Sequence, residues 1–321
     1  MSLEADRWVL LGTGGTIAGQ AAQAADNVGY VAGQVGVAEL VAAVPTLGGL
    51  PLELEQIAQI DSKDMGLAVW QALARRIAVH LERPQVRAVI VTHGTDTIEE
   101  TAFLIHRLLR PAKPVVFTCA MRPSTALVPD GPQNLSDAMA VARHAGAGGV
   151  VVVCAGQVHA ARDVAKVHTY RLDAFDSGDA GPLACVEEGR VREFRPWVRQ
   201  ESDPLRGANA LAPFLLASEL PRVELVTSHA DAGGDLIRSL LVMPGERALQ
   251  GIVVAGTGNG TVHQALTDAL HEAQARGVRV RLSSRCARGR VVPHPGLPFE
   301  DAGGLSAIKA RLALALDLLE G

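Results

Sequence analysis

The chain has 321 residues, of which 48% are apolar, and a formal net charge of -4 at pH 7. This length and composition suffice for two globular domains with a large buried core. The charge offers no basic field of the kind that attracts nucleic acid or an anionic membrane, so the predicted partner is a small neutral or zwitterionic molecule.

Neither a membrane span nor a secretory leader is indicated. No apolar run approaches the ~20 residues of a span, and the opening "MSLEADRW" lacks the basic-then-apolar plan of a signal peptide. We therefore expect a cytoplasmic location. The four cysteines are far apart and form no C-x-x-C motif, which predicts reduced, buried thiols; they are Cys119, Cys154, Cys185 and Cys286.

Apolar, β-branched runs alternate with helical patterns in the first part of the chain. Strands are predicted at 8–11, 88–92, 115–119 and 150–154, and helices at 65–81, 97–109 and 134–146. A hairpin is predicted about Glu188 and Gly189. The alternation is typical of a mainly parallel, doubly wound sheet, so 1–195 is predicted to be the larger, N-terminal α/β domain.

A polar stretch with three prolines, 196–215, is predicted to be a linker. Beyond it, strand-like segments at 222–230, 251–260 and 279–287 are separated by helical stretches, and a helical pattern at 305–319 closes the chain. This order predicts a smaller C-terminal α/β domain over 216–321, built on a parallel sheet.

The segment "LLGTGGTIAG", residues 10–19, follows the first predicted strand. It is not a dinucleotide-binding turn, because Ile17 stands where G-x-G-x-x-G needs glycine. It is not a phosphate-binding P-loop, because the first sixty residues contain no lysine. What remains is a glycine-rich turn that a ligand can approach closely, with Thr13 and Thr16 at its rim.

Polar segments follow several predicted strands: "TGGT", "THGTDT", "AMRPSTALVPDGPQN" and "AGTGNG". Ligands of open α/β sheets bind beyond the carboxyl ends of strands, so these segments are candidates for a common site. Thr97 and Glu100 match a capping box, which leaves Thr95 and Asp96 free for a functional role. Ser62 precedes a predicted helix, and for this residue alone an N-cap is favoured over a ligand contact.

Lysine is rare in this chain. Of the thirty basic residues only four are lysines, namely Lys63, Lys113, Lys166 and Lys309. Lysine, unlike arginine, can give or take a proton near neutral pH, and a threonine hydroxyl needs such a base before it can attack. Thr95, Asp96 and Lys166 could form such a set. Neither the zinc motif H-E-x-x-H nor the serine-hydrolase motif G-x-S-x-G occurs, so neither a zinc enzyme nor a serine hydrolase is expected, and no metal or cofactor is predicted.

Five ordered motifs span nearly the whole chain: "TGGTIAG", "QIDSKDM", "THGTDTIEETA", "AMRPSTALVPDGPQNLSDA" and "AGTGNG". In this order they resemble the bacterial-type L-asparaginases. The resemblance implies that Thr16 is the nucleophile, so that Thr13 is structural. It also implies that Tyr30 lies on a mobile loop that closes over the substrate and hydrogen-bonds the nucleophile.

The resemblance implies further roles. Ser62 would bind the α-carboxylate of the substrate and Asp96 its α-ammonium group. Thr95 and Lys166 would belong to a second polar triad, and Asn259 would reach the site of a neighbouring subunit. The family forms homotetramers built from intimate dimers, so a homotetramer is expected.

Two residues depart from the family pattern. Lys63 stands where the family often has Gln or Glu beside the serine, which predicts weaker binding of the substrate ammonium group. In secreted members, a loop after "SSR" carries a glutamate that reaches the partner subunit. Here the same loop, 286–301, has no glutamate before Glu300, which is too late to be claimed as a replacement.

The expected reaction is two-step hydrolysis of L-asparagine to L-aspartate and ammonia through an acyl-enzyme. Thr16 could be activated directly, through Tyr30 or through the lysine triad, and the sequence leaves these routes open. The alternatives are a glutaminase-asparaginase acting on L-glutamine, an amidotransferase subunit, or a non-catalytic, ligand-sensing relative. The complete set of polar residues argues against the last of these.

Overall fold

The structure is a computed structural model and describes residues 6–197, 210–243 and 248–321. The chain forms two compact units, Met1–Arg206 and Gly207–Gly321. The predicted linker, 196–215, lies mostly outside the described residues, and a short helix, α5 (Leu211–Leu216), occupies its end.

The first unit is built on an eight-stranded sheet in the order β10-β9-β6-β5-β4-β3-β1-β2. Its strands are β1 (Arg7–Gly14), β2 (Leu52–Ile60), β3 (Val86–Thr92), β4 (Val115–Thr118), β5 (Val150–Cys154), β6 (Gln157–Ala160), β9 (Ala184–Glu187) and β10 (Arg190–Glu193). The five strands from β5 to β2 are parallel, which confirms the predicted doubly wound arrangement. A separate two-stranded sheet pairs β7 (Ala165–Lys166) with β8 (Phe175–Asp176).

The remaining strands of the large sheet are antiparallel, an extension that the strand patterns did not predict beyond one hairpin. The turn between β5 and β6 consists of Ala155 and Gly156, both with positive φ. Two consecutive residues with positive φ make a tight hairpin turn, so the chain reverses here without a crossover helix. The predicted hairpin at Glu188 and Gly189 is confirmed and has the same backbone signature.

Four helices of the first unit are α1 (Val37–Ala42), α2 (Leu67–Glu82), α3 (Ile98–Leu109) and α4 (Gly131–Arg143). The predicted capping box at the start of α3 is wrong, because the Thr97 side chain makes no capping hydrogen bond. The predicted N-cap role of Ser62 is also wrong, because α2 begins only after Gly66. Asp61 instead caps a three-residue 3-10 helix, Ser62–Asp64, by accepting from the Lys63 N–H group.

The second unit has a four-stranded parallel sheet in the order β11-β12-β13-β14, which confirms the predicted smaller domain architecture. Its strands are β11 (Val223–Thr227), β12 (Gly251–Gly256), β13 (Arg279–Ser284) and β14 (Glu300–Asp301), and its helices besides α5 are α6 (Asp235–Leu241), α7 (Gln264–Ala275) and α8 (Ala307–Glu320). Across the described parts of the chain, no helix is long and apolar enough to cross a membrane.

The cysteine prediction holds in part. All four thiols are free, and Cys119 and Cys154 are buried as expected. Cys286 is exposed, however, because it follows β13 in a polar segment at the end of the small sheet. Cys185 is only partly buried although it lies on β9, so burial depends on the position of each cysteine in the fold and not on residue type alone.

Candidate active site

Thr16 lies on a glycine-rich turn at the carboxyl end of β1. Gly14 and Gly15 both have positive φ, which an L side chain rarely adopts. A Cβ atom added to Gly15 would lie 2.3 Å from the Gly94 Cα, so the turn is packed directly against the loop that follows β3. The two glycines therefore allow the loops that carry Thr16 and Thr95 to touch.

The two threonines of this turn differ in their contacts. The Thr13 hydroxyl donates a 2.9 Å hydrogen bond to the Thr92 carbonyl and is buried between strands. The Thr16 hydroxyl lies 2.6 Å from the Tyr30 hydroxyl and contacts no other side chain among the described residues by hydrogen bond or ion pair. Thr13 thus has a structural partner, whereas the partner of Thr16 is another reactive group.

Tyr30 lies on a loop that is closed at its base by a two-way backbone pair between Gln20 and Val31. Its ring packs against Gly19, where a Cβ atom would lie 2.8 Å from the ring. Burial raises the pKa of Tyr30 above its ordinary value, with smaller contributions from the negative charges of Asp96 and Asp61, although the Thr16 hydrogen bond acts in the opposite direction. Tyr30 is therefore a neutral phenol near pH 7.

A second polar group lies at the end of β3. Lys166, on β7, donates 2.8 Å and 2.6 Å hydrogen bonds to the Thr95 hydroxyl and the Asp96 carboxylate. The Lys166 side chain is only 17% exposed, whereas that of Asp96 is 55% exposed. The amine is thus held against the threonine hydroxyl, and the carboxylate remains open to solvent. The sequence patterns placed Lys166 on a loop, and the structure places it on a short strand.

Ser62 completes the group of residues that the structure brings together. The Asp96 N–H group donates a 3.3 Å hydrogen bond to the Ser62 hydroxyl. The Thr97 hydroxyl donates a 2.8 Å hydrogen bond to the Ser62 carbonyl. Sequence reasoning missed this role of Thr97, because the capping motif offered a simpler explanation of the same residue.

The Lys63 side chain is exposed and paired with two carboxylates. Its amine forms ion pairs with Asp61 at 2.6 Å and Asp64 at 3.3 Å and is 62% exposed. The expected effect of an added cation is therefore offset by two neighbouring carboxylates, which favours the interpretation of Lys63 as a surface residue.

Asn259 and Glu300 belong to the second unit. The Asn259 amide accepts from the Val292 N–H group at 2.7 Å and donates to its carbonyl at 3.2 Å. Glu300 forms an ion pair with Arg281 on the adjacent strand. Within this chain, both side chains hold local structure of the small domain.

His93 is a buried histidine directly behind the site. It donates from Nδ1 to the Gly94 carbonyl at 2.8 Å, and its ring packs edge-on against Phe117. Burial lowers the pKa of His93 to about 4, although the hydrogen bond to Gly94 acts in the opposite direction. His93 is therefore neutral near pH 7 and supports the loop without serving as an exposed base.

This lowered pKa makes the stability of the protein depend on pH. Between its ordinary value of 6.5 and about 4, His93 takes up a proton in the unfolded chain but not in the folded one. Its contribution is fully present above pH 6.5 and falls by on the order of 3 kcal/mol as the pH falls to 4. We expect His93→Gln to show a smaller loss of unfolding free energy between pH 7 and pH 4.5, measured by urea denaturation. Equal losses in the two proteins would contradict this assignment.

Among the described residues, no group of three or more His, Cys, Asp or Glu side chains could hold a metal ion. The chemistry available at the site is that of four hydroxyl groups, one amine and one carboxylate, which belong to Thr16, Tyr30, Ser62, Thr95, Lys166 and Asp96. A threonine beside a phenol and a second threonine beside an amine can together support nucleophilic attack and proton transfer.

Comparison with known proteins agrees with this arrangement. The family model "Asparaginase, N-terminal" matches residues 7–199, and "Glutaminase/Asparaginase C-terminal domain" matches residues 222–321. L-asparaginase 2 of Escherichia coli (strain K12) is 37% identical over 97% of this chain and 88% of its own length. The glutaminase-asparaginase of Acinetobacter glutaminasificans is 34% identical over 97% of this chain and 94% of its own length.

A solved structure described as a "Probable Cytoplasmic L-asparaginase from Campylobacter jejuni" is also similar. It matches with a TM-score of 0.88 and 36% identity, covering 98% of this chain and 96% of the other. The two-domain fold and the paired hydroxyl groups thus define an amidohydrolase of the threonine-nucleophile type. The chain belongs to the asparaginase/glutaminase family.

Proposed function

We propose that the protein is an L-asparaginase, which hydrolyses L-asparagine to L-aspartate and ammonia. The observation that carries the proposal is the 2.6 Å contact between the Thr16 and Tyr30 hydroxyl groups, on a turn packed against the Thr95 loop. The names of the relatives support the same activity.

In the proposed reaction, the Thr16 hydroxyl oxygen attacks the side-chain amide carbon and its proton passes to Tyr30 or to solvent. The carbon–nitrogen bond breaks, the nitrogen takes up a proton, and ammonia departs. A β-aspartyl ester remains on Thr16. Water then attacks the acyl carbon of this ester, the bond from that carbon to the Thr16 oxygen breaks, and L-aspartate leaves while the oxygen takes up a proton. Because the pKa of Tyr30 is raised, its phenol is not deprotonated before the reaction. Tyr30 acts instead as a relay that accepts one proton while releasing another.

The Thr95 N–H group is proposed to stabilise the oxyanion. The His93 ring holds the Gly94 carbonyl on the buried side, and the C=O and N–H of a trans peptide point in opposite directions. The Thr95 N–H group consequently points away from the His93 ring, and it has no hydrogen-bond partner among the described residues. Such an unpaired backbone donor is suited to a developing negative charge.

Thr95, Lys166 and Asp96 are proposed to serve the second step and substrate binding. The Lys166 amine contacts the Thr95 hydroxyl, so this pair can orient and deprotonate the attacking water. Asp96 is assigned to the substrate ammonium group, and its exposed carboxylate supports this assignment. Ser62 is assigned to the α-carboxylate.

Asn259 is proposed to complete the site of a neighbouring subunit in a homotetramer. The observed pairing of its side-chain amide with the Val292 backbone would then fix the orientation of that side chain. Light scattering at micromolar concentration should show a dimer or tetramer, and a fully active monomer would contradict the shared site.

A cytoplasmic location is proposed from the likeness to the C. jejuni protein, and cell fractionation tests it.

Ammonia release from L-asparagine and from L-glutamine is the decisive assay. The glutaminase-asparaginase name of one relative favours L-glutamine as a second substrate. Turnover of L-asparagine with slower turnover of L-glutamine is the expected result. No ammonia from either amide would overturn the proposal and would favour a ligand-sensing protein.

A further inference from the structure

The turn that carries Ser62 has little internal support. Ser62 belongs to a 3-10 helix of only three residues between β2 and α2, yet it is 3% exposed. Two backbone hydrogen bonds close this turn, Asp64 N–H to the Asp61 carbonyl and Met65 N–H to the Ser62 carbonyl. A segment this short does not hold a side chain in one orientation by itself, so neighbouring side chains must do so.

Asp61 supports the turn from its amino-terminal side. One oxygen of its carboxylate accepts from the Lys63 N–H group at 3.2 Å, and the other accepts from the Lys63 amine at 2.6 Å. Burial acts to raise the pKa of Asp61, but the hydrogen bonds from Lys63 outweigh burial and leave the pKa below its ordinary value. The carboxylate is therefore charged near neutral pH and fixed at both oxygens.

Thr97 supports the same residue from the other loop. Its hydroxyl donates to the Ser62 carbonyl at 2.8 Å, which links the segment after β2 to the segment after β3. On this side the Ser62 hydroxyl also faces Gly94, where an added Cβ atom would lie only 2.4 Å away. The turn is thus held by two side chains, Asp61 at the Lys63 N–H group and Thr97 at the Ser62 carbonyl, while the Ser62 hydroxyl is directed toward the Gly94–Asp96 segment.

We propose that Asp61 and Thr97 are positioning residues for substrate recognition, which fix the Ser62 hydroxyl where it binds the substrate α-carboxylate. Neither residue needs to touch the substrate, because both act through the turn that carries Ser62. The inference rests on the proposed asparaginase function, since it needs Ser62 to bind a carboxylate.

Two matched pairs of variants test the proposal by steady-state kinetics with L-asparagine. Asp61→Ala and Thr97→Val remove the supporting hydrogen bonds, whereas Asp61→Asn and Thr97→Ser keep an acceptor and a donor at the same places. We expect the first two to raise KM at least about fivefold with kcat within about threefold, because ground-state binding is what they weaken. The conservative variants should stay within about twofold of the wild type.

Asp64→Ala is the matched control, because it removes a carboxylate from the same turn with the same change in charge. Its side chain is 69% exposed and contacts Lys63. Unchanged KM in Asp61→Ala and Thr97→Val would overturn the proposal. So would an Asp61→Asn variant as impaired as Asp61→Ala, because charge would then matter and not the hydrogen bond.

A second measurement separates positioning from general damage to the fold. In a Ser62→Ala background, Asp61→Ala and Thr97→Val should raise KM no further, because their effect passes through Ser62. Additional KM increases in that background would contradict the inference, and melting temperatures identify any variant that is merely unfolded. If the wild type releases no ammonia, the proposed function fails. If the wild type is active and these variants leave KM unchanged, only the positioning role fails.

Discussion

Thr16→Ala should abolish turnover while the protein remains folded. The substitution removes the hydroxyl that is expected to form the acyl-enzyme, and we expect kcat for L-asparagine to fall at least about 1,000-fold, which corresponds to about 4 kcal/mol. The structural cost is small, because Thr16 loses only one side-chain hydrogen bond, worth about 1 kcal/mol. Ammonia release and the melting temperature should be measured on the same preparation.

Thr13→Ala is the matched control for this experiment. Thr13 lies three residues earlier on the same turn and is buried, but its hydroxyl donates to a backbone carbonyl. We expect Thr13→Ala to lower the unfolding free energy by about 1 kcal/mol and to retain most of the activity. If Thr16→Ala keeps more than about a tenth of wild-type kcat, Thr16 is not the nucleophile.

The strand patterns predicted the centre of the large sheet because its strands are buried on both faces. Runs such as Val150–Cys154 are apolar throughout, and a continuous apolar run bounded by polar segments indicates a central parallel strand. The antiparallel edge was harder to predict. The turn at Ala155 and Gly156 depends on a positive φ at an alanine, which no sequence rule for tight turns would select.

The candidate site could also be predicted only in part from the sequence. Glycine spacing indicated a turn carrying Thr13 and Thr16, and only the resemblance to a family selected Thr16. The scarcity of lysine drew attention to Lys166, which the structure places against Thr95. The same lysine argument has exceptions, because Lys113 caps the end of α2 by donating to the Leu81 and Arg83 carbonyls. A rare residue type thus indicates that a particular geometry is needed, and not whether that geometry is structural or chemical.

Thr97 and Asp61 could not be assigned from local patterns for a physical reason. Each matches a capping motif, and capping is a contact with the residue's own helix. Thr97 instead bonds to Ser62, which lies 35 residues away in the chain. Asp61 caps a turn of three residues, too short to leave a periodic pattern. Contacts between loops depend on how strands are ordered in the sheet, and one sequence does not specify that order residue by residue.

Lys166→Arg should cost at least about 100-fold in kcat, the usual scale for loss of a positioned acid or base. Arginine keeps the positive charge, so it preserves the attraction to Asp96, but it cannot release a proton near neutral pH. Its planar guanidinium also cannot reproduce the two contacts that a single amine makes, at 2.8 Å to Thr95 and 2.6 Å to Asp96. The measurement is kcat for L-asparagine together with the melting temperature.

Lys113→Arg provides the matched control, because the same substitution is made at a lysine that donates only to two backbone carbonyls among the described residues, outside the candidate site. This variant should lose stability and keep kcat within about twofold, since its contacts are with the end of α2. A kcat for Lys166→Arg within tenfold of the wild type would reduce Lys166 to an electrostatic role. Tyr30→Phe, which removes the proposed proton relay of Thr16, should then lower the remaining turnover of the Lys166→Arg protein further.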